Sequence, residues 1–226
     1  MPESVKRRGS SGPTTGAMLG LWSGVVAIDR KGYGRAVQLL LAMVLLMWAL
    51  EVVDAAVDHR LDRLGIEPRE VDGLDGVVAA PFLHVGFGHL LANTLPFFAM
   101  GLVIALEGVW RLAGVTAITA VVSGLGTWLI APADTIHLGA SGVVFGYATY
   151  LIARGLFNRR PLEIVIGVVV AVLWGGALMA GLEPQRGISW QGHLFGAIGG
   201  VVAARVLSER RRAGFERAAR EAGRSI

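Results

Sequence analysis

Residues 137–147 read HLGASGVVFGY, and the interpretation of this stretch decides the fold. Ser141 lies among small residues, and a long apolar run follows it. A hydroxyl in such a glycine-rich, membrane-length segment is either a packing residue where two helices approach closely or a nucleophile. The residues around it and the rest of the chain must discriminate between these two interpretations.

The composition predicts an integral membrane protein. Of 226 residues, 54% are hydrophobic, only 17% are charged and 32 are glycines, whereas an ordinary soluble domain has about 25% charged residues. Small residues allow helices to pack closely in lipid. The chain has no cysteine, which excludes disulfides, thiolate metal sites and thiol nucleophiles. The first 35 residues lack the pattern of a signal peptide.

Six segments are apolar enough to be membrane spans, for which about 20 residues are needed. They lie at 36–53, within 77–106, and at about 112–131, 139–157, 162–182 and 190–207. The second region is longer than one span, so VVAAPFLHVGFG is predicted to be a loop or re-entrant segment, with the helix starting near Gly88. The predicted fold class is an all-α membrane protein, a six-transmembrane-helix bundle.

The basic residues orient this bundle. With both termini in the cytoplasm, 17 of the 21 Lys and Arg residues fall on the inside, as the positive-inside rule requires. The predicted loop 54–76 carries seven acidic residues and is assigned to the outside. Basic residues next to lipid therefore account for the net charge of +4, and nucleic acid is not an expected partner.

Four polar side chains are predicted at one depth of the bilayer. Asn93, Ser141 and His193 lie 14, 13 and 12 residues from the cytoplasmic ends of their spans, at Glu107, Arg154 and Arg205. At about 1.5 Å per residue, these distances correspond to roughly 18–21 Å. His89 lies one helical turn from Asn93 on the same face. Each residue alone is compatible with packing or structural hydrogen bonding, but agreement across three helices favours a site.

Glycines predict close contact between two of these helices. Gly142 and Gly146 form a small-xxx-small step after Ser141, and Gly192, Gly196 and Gly200 form a ladder around His193. If the two ladders face each other, the hydroxyl and the imidazole come within hydrogen-bond reach. A plain packing seam without chemistry remains the alternative.

This pattern favours nucleophilic acyl transfer. A serine hydroxyl becomes a good nucleophile only when a base takes its proton, and His193 is the candidate general base and acid. No carboxylate is evident at this depth, so a Ser141–His193 dyad is predicted rather than a triad. His89, Asn93 and the backbone N–H of Ser141 are the candidate donors to the oxyanion.

These motifs resemble those of the rhomboid intramembrane serine proteases. FLHVGFGHLLANTLPFFAMG (82–101) resembles the second-span signature of that family, GASG (139–142) its nucleophile motif, and QGHLFGAIGG (191–200) its last-span motif. The matches occur in the right order across about residues 36–207. The resemblance implies Ser141 and His193 as the catalytic pair, and His89 and Asn93 on the oxyanion side.

The resemblance also implies the reaction and its partners. The expected substrates are membrane proteins, cut in or beside a transmembrane segment, with small residues before the cut and helix-destabilising residues nearby. No metal and no organic cofactor is expected, and the fifth span is implied as part of a lateral gate. The lipid bilayer is the other expected partner. A bacterial plasma membrane is the expected location by analogy.

The sequence departs from the family pattern at three places. Phe145 stands where a tyrosine often stacks on the base, so the ring is kept and the hydroxyl lost. The Trp-Arg pair common in the first external loop is absent, and LDGVVAAPF stands in its place. Glu107 is the candidate for a carboxylate near the end of the second span, with shifted spacing from Gly101.

Two alternatives remain. A rhomboid-like pseudoprotease would bind membrane segments without cleaving them. A metalloprotease or transporter would use His84, His89 and His193 as ligands or a proton relay, although H-E-x-x-H is absent. Of the other histidines, His84 is expected to hold its loop by hydrogen bonds, His137 to be interfacial and His59 to be solvated.

The predicted organisation has one folded domain and two tails. Residues 1–35 form a cytoplasmic tail with a possible interfacial segment at 17–28, residues 36–207 form the six-span domain, and residues 208–226 form a basic cytoplasmic tail.

Overall fold

The protein is described by a computed structural model that covers residues 30–185 and 187–208. The predicted interfacial segment and nearly all of both predicted tails lie outside these residues. Within them there is no β-strand, and one isolated antiparallel bridge joins Ile66 to His137.

Six long helices make up most of the described chain. They are α1 (Arg30–Ala56), α2 (Gly86–Ala105), α3 (Val109–Ile130), α4 (Ser141–Asn158), α5 (Pro161–Leu182) and α6 (Trp190–Val206). All six predicted helices are therefore present, with ends that mostly differ from the prediction by a few residues. The predicted start of the second helix near Gly88 is confirmed to within two residues, since α2 begins at Gly86 after short helical turns at 76–79 and 80–82.

Four of the helices are long and apolar enough to cross a membrane, namely α1 from Lys31 onward, α2, α3 and α5. Of the other two, α4 lies inside the bundle, whereas α6 has only 17 residues and keeps Ile198, Val201 and Val202 exposed on one face. Twelve of the 18 residues of α4 are buried, and α4 packs against α2, α3, α5 and α6. A helix surrounded by protein needs fewer apolar side chains than one that faces lipid.

The core forms around α4. Its side chains Tyr147 and Tyr150 are fully buried together with Phe97 of α2 and Leu40 of α1. The Tyr147 hydroxyl is 2.6 Å from that of Thr116, so the buried phenol keeps a hydrogen-bond partner. Because α4 is held on several sides, the position of its first residue, Ser141, is fixed by the whole bundle.

The two glycine ladders face each other, as predicted. A Cβ added at Gly196 would lie 2.1 Å from the carbonyl oxygen of Gly142, and one at Gly200 would lie 2.1 Å from that of Gly146. Thr149 adds a hydrogen bond across the seam, donating to the carbonyl oxygen of Ala197 at 2.8 Å. Only glycine permits this approach of α4 to α6.

The connection between α1 and α2 is ordered and begins later than predicted. Helix α1 continues to Ala56, so Asp54 belongs to the helix, and its side chain is only 2% exposed. Arg69 attaches the connection to the end of α3 by donating to the carbonyl oxygens of Leu129 and Ala131, at 3.3 and 2.6 Å. The expected Trp-Arg pair is absent from the sequence, and Arg69 anchors the connection instead.

Helix ends follow local rules. Pro161 opens α5, where a missing N–H costs nothing. Ser189 caps α6 by accepting from the N–H of Gly192 at 3.3 Å. At the other end of the bundle Glu107 forms ion pairs with Arg111 and Arg154. The candidate carboxylate of the second span is thus part of a charged cluster that joins the α2–α3 connection to α3 and α4.

Candidate active site

Ser141 and His193 are in direct hydrogen-bond contact. The Oγ of Ser141, the first residue of α4, lies 2.8 Å from Nε2 of His193 in the first turn of α6. His193 is 8% exposed. The predicted proximity of the hydroxyl and the imidazole is confirmed, and it follows from the glycine seam, which begins beside both residues.

The other imidazole nitrogen fixes the protonation pattern. Nδ1 of His193 lies 2.7 Å from the carbonyl oxygen of Gly181, near the end of α5. A carbonyl can only accept, so Nδ1 must carry the proton and Nε2 presents a lone pair to the serine. The Ser141 hydroxyl therefore donates to Nε2. A backbone carbonyl takes the orienting role for which the sequence offered no carboxylate.

Phe145 stacks on the imidazole. The two rings are 4.2 Å apart between centroids and inclined by only 7°. A Cβ added at Gly181 would lie 2.5 Å from the Phe145 ring and 3.0 Å from Nδ1, so ring, imidazole and α5 are in close contact. Although the tyrosine hydroxyl is absent here, the imidazole is held from two sides, by the Phe145 ring and by the carbonyl of Gly181.

The segment before Ser141 is hydrogen-bonded to the connection between α1 and α2. Ile66 and His137 exchange two backbone hydrogen bonds of 2.8 and 3.0 Å, and the N–H of Gly139 donates to the carbonyl oxygen of Ala80 at 2.8 Å. The N–H of Ala140 donates to Nε2 of His84 at 3.3 Å. The prediction that His84 has a hydrogen-bonding role at its loop is thereby confirmed.

His89 lies against this segment. A Cβ added at Gly139 would be 2.6 Å from Cε1 and 3.0 Å from Nε2 of His89, and Gly139 has a φ of +120°. A glycine is required here for both reasons. The ring therefore reaches the chain two residues before Ser141, as expected of a residue that serves the same site.

Asn93 is 5% exposed and lies one turn further along α2. Its amide donates to the carbonyl oxygen of His89 at 3.0 Å, which leaves one N–H of the amide for another acceptor. Ser141 itself begins a helix, where the first backbone N–H groups have no partner within the helix and the helix dipole favours negative charge. The oxyanion roles of His89 and Asn93 stay predictions.

A small cavity of about 30 Å³ lies beside Ser141, between the serine and polar groups of α3 and the α5–α6 connection. Its polar lining includes Ser123, Thr127, His137 and Ser189. Ser123 donates to the carbonyl oxygen of Gly192 at 2.8 Å. A volume of this size with several polar partners has room for a water molecule.

Sequence reasoning missed these α3 residues. Thr119, Ser123 and Thr127 recur every four residues and thus share one helix face, which is the signal that could have found them. His137, predicted to be interfacial, is half-buried, and its ring nitrogens lie 2.8 Å from the hydroxyls of Thr135 and Ser189. His59 is half-exposed, in keeping with a solvated residue, but its Nδ1 is also 3.0 Å from Asp54.

The bundle and the paired serine and histidine define a helical membrane protein with a candidate serine-hydrolase site. The model of the Rhomboid domain matches residues 73–210, which is more than half of the chain. The chain belongs to the rhomboid family, and it is a multi-pass membrane protein.

Relatives are found in several bacteria. The uncharacterized protein Rv1337 of Mycobacterium tuberculosis is 43% identical over 194 residues, which cover 81% of each chain. The putative rhomboid protease YdcA of Bacillus subtilis is 32% identical over 124 residues, 53% of this chain and 60% of the relative. The rhomboid protease GluP of the same organism is 29% identical over 126 residues, 55% of this chain and 24% of the relative.

Proposed function

We propose that this protein is an intramembrane serine endopeptidase that cleaves peptide bonds in or next to transmembrane segments through a Ser141–His193 dyad. The observation that carries the proposal is the 2.8 Å contact between Oγ and Nε2, with Nδ1 held by the Gly181 carbonyl. Membership of a family with relatives named as rhomboid proteases supports the same reaction.

The geometry supports a two-step reaction. In the first step Oγ of Ser141 attacks the scissile carbonyl carbon while Nε2 of His193 takes the hydroxyl proton. The tetrahedral intermediate then collapses, the C–N bond breaks, and Nε2 gives its proton to the leaving amine. In the second step a water molecule attacks the acyl-enzyme, with Nε2 again accepting and returning a proton. The polar cavity beside Ser141 offers a place for that water.

The oxyanion is assigned to donors on two helices. The backbone N–H of Ser141 lies at the N-terminus of α4, and the side chains of His89 and Asn93 approach from α2. One such donor is worth about 3–4 kcal/mol of transition-state stabilisation. The low polarity around the bundle strengthens these hydrogen bonds.

The proposed topology has six spans with both termini in the cytoplasm. Four helices have the length and apolarity of spans, and α4 and α6 complete the set as the helices that carry the site. The substrates are then membrane proteins that reach the site from the bilayer, and the proposed location is a bacterial plasma membrane.

The proposal is tested with the full chain in proteoliposomes that also contain a model transmembrane substrate. Cleavage is measured for the wild type, Ser141→Ala and His193→Ala, and a fluorophosphonate probe reports nucleophile reactivity. Ser208→Ala is the matched control, because it removes a hydroxyl at the far end of α6. We expect cleavage and labelling in the wild type and the control, and neither in the two dyad variants.

Two results would count against the proposal. Equal cleavage by the wild type and Ser141→Ala would remove this serine from the reaction. A wild type that crosslinks to the substrate but neither cleaves it nor reacts with the probe would identify a pseudoprotease.

A further inference from the structure

His137 connects three segments of the chain next to the dyad. Its backbone exchanges two hydrogen bonds with Ile66 in the connection between α1 and α2. Its ring nitrogens lie 2.8 Å from the hydroxyls of Thr135, in the same loop, and Ser189, at the start of α6. It also lines the small cavity beside Ser141. The proposed reaction assigns no role to this imidazole, although it is half-buried between two polar partners.

The partners of the ring determine which nitrogen carries its proton. The Thr135 hydroxyl donates to the carbonyl oxygen of Pro132, so its single hydrogen is used and its oxygen must accept from Nε2–H of His137. The neutral ring then has a lone pair at Nδ1, to which the Ser189 hydroxyl donates. His137 is therefore the opposite tautomer to His193, whose proton is on Nδ1.

Ser189 links this ring to the first turn of α6. Because its hydrogen is donated to His137, its oxygen is left to accept, and it accepts from the N–H of Gly192 at 3.3 Å. The carbonyl oxygen of Ser189 also accepts from the N–H of His193 at 3.1 Å. Ser123 holds the same turn from α3 by donating to the carbonyl oxygen of Gly192. Any shift of Ser189 therefore displaces the base of the dyad.

We propose that His137 is a positioning residue, which acts through Ser189 to hold the first turn of α6, and with it the imidazole of His193, and which does so in its neutral form. The ring fixes the direction of the Ser189 hydroxyl hydrogen and so leaves the oxygen of that group for the helix N–H. The inference rests on the proposed function, because it concerns the base of that reaction.

Protonation of His137 would reverse the direction of this hydrogen bond. Nδ1–H would then donate to the Ser189 oxygen, towards which the Gly192 N–H already points, and the hydroxyl hydrogen would lose its acceptor. A positive charge would also lie at the N-terminus of α6, where the helix dipole disfavours cations. It would oppose proton uptake by His193, so the neutral ring favours the active arrangement.

Burial favours the neutral form, because it lowers the pKa of the His137 imidazole. Within four residues of its contacts Ile66, Thr135 and Ser189, the described chain carries these other titratable side chains: Asp62, Arg63, Glu67, Arg69, Glu70, Asp134 and His193. Among residues 30–185 and 187–208, burial is the cause found for the lowered pKa, and no charge of these groups contributes to it.

The first test measures the rate at which a fluorophosphonate labels Ser141, with the full chain in lipid nanodiscs. We expect His137→Phe and Ser189→Ala each to be about fivefold slower than the wild type, the factor that corresponds to one ordinary hydrogen bond. The double variant should be no slower than Ser189→Ala, because both changes remove one contact. His137→Asn keeps an acceptor near the position of Nδ1 and should label at close to the wild-type rate. His59→Asn is the control, because it removes a half-exposed imidazole of the α1–α2 connection and should leave the rate unchanged.

The pH dependence separates positioning by the neutral ring from a role in folding. Protonation of residue 137 affects the wild type but not His137→Asn. The ratio of their labelling rates, wild type to variant, should stay constant above about pH 6.5, the ordinary pKa of histidine, and should fall by up to about fivefold below it. A ratio that does not change with pH would contradict the requirement for the neutral ring.

NMR of protein labelled with nitrogen-15 histidine gives a result that does not require the reaction. In the wild type, His137 should carry its proton on Nε2 and His193 on Nδ1. The Nδ1–H signal of His193 should shift in His137→Phe but not in His137→Asn. A proton on Nδ1 of neutral His137, an unshifted His193 signal in His137→Phe, or additive losses in the double variant would each overturn the inference. Absence of labelling in the wild type would overturn the dyad instead, and the NMR result would still decide the role of His137.

Discussion

The substitution Gly196→Ala tests whether the glycine seam positions the dyad. A Cβ at this position would lie 2.1 Å from the carbonyl oxygen of Gly142 and 3.0 Å from its Cα. These are backbone atoms, so no side-chain rotation can relieve the clash. Gly142 directly follows Ser141, and any displacement therefore acts on the nucleophile.

The size of the effect follows from ordinary contact distances. A carbon and a carbonyl oxygen normally approach to about 3.3 Å, so α4 and α6 must separate by about 1.2 Å near this point. The distance from Oγ of Ser141 to Nε2 of His193, now 2.8 Å, would then approach about 4 Å, too long for a hydrogen bond. A misplacement of about 1 Å can cost about 10²-fold in rate, and overpacking costs about 1–3 kcal/mol of stability.

The assay compares cleavage of a transmembrane substrate, fluorophosphonate labelling and thermal unfolding in Gly196→Ala and Gly176→Ala. Gly176 is the matched control, because nothing lies within 4 Å of a Cβ added there. We expect the control to keep wild-type activity and the Gly196 variant to lose about 10²-fold while still folded. Activities of the two variants within about twofold of each other would refute the argument that the seam positions the dyad.

Three further predictions concern the surroundings of the site. Phe145→Ala should lower kcat about fivefold with little change in KM, because ring stacking is worth about 1 kcal/mol. Phe145→Tyr should keep kcat, and an effect on KM alone would contradict stacking on His193. Burial lowers the pKa of His84 to about 4, below its ordinary value of about 6.5. The unfolded state therefore binds the proton first, and the free energy of unfolding should fall as the pH falls from about 6.5 to 4. Melting temperatures across this range should depend less on pH in His84→Gln, and an unchanged slope would exclude His84 as the cause. Glu107→Gln should cost about 3 kcal/mol in the free energy of unfolding, measured by denaturation, because it leaves the buried Arg154 without its ion pair. The double variant with Arg154→Met should recover part of that loss, and no recovery would show that unpaired Arg154 is not its cause.

Much of the helical organisation could be predicted because its signals are local. The length of an apolar run limits where a membrane helix lies, and all six predicted helices are present. The glycine spacings around Ser141 and His193 correctly predicted the seam, because only glycines allow such an approach. Membrane crossing was harder to predict for α4, because enclosure by neighbouring helices relaxes the need for apolar residues.

The contacts that orient the site could not be predicted in the same way. The partner of Nδ1 in His193 is a backbone carbonyl at Gly181, and a carbonyl is present at every residue, so no side-chain pattern marks it. Ser123 and Thr127 were passed over for a related reason, because each also resembles an ordinary helix-packing residue until the facing helix is known.

The sequence by itself determined a helical membrane protein of the rhomboid family and the two residues, Ser141 and His193, that meet at its candidate site. The tertiary structure decided which backbone group orients the imidazole and how the loop before Ser141 is held. The physical reason is that apolar length and residue spacing are properties of one segment. Helix rotation and the identity of a facing backbone atom exist only once segments pack together.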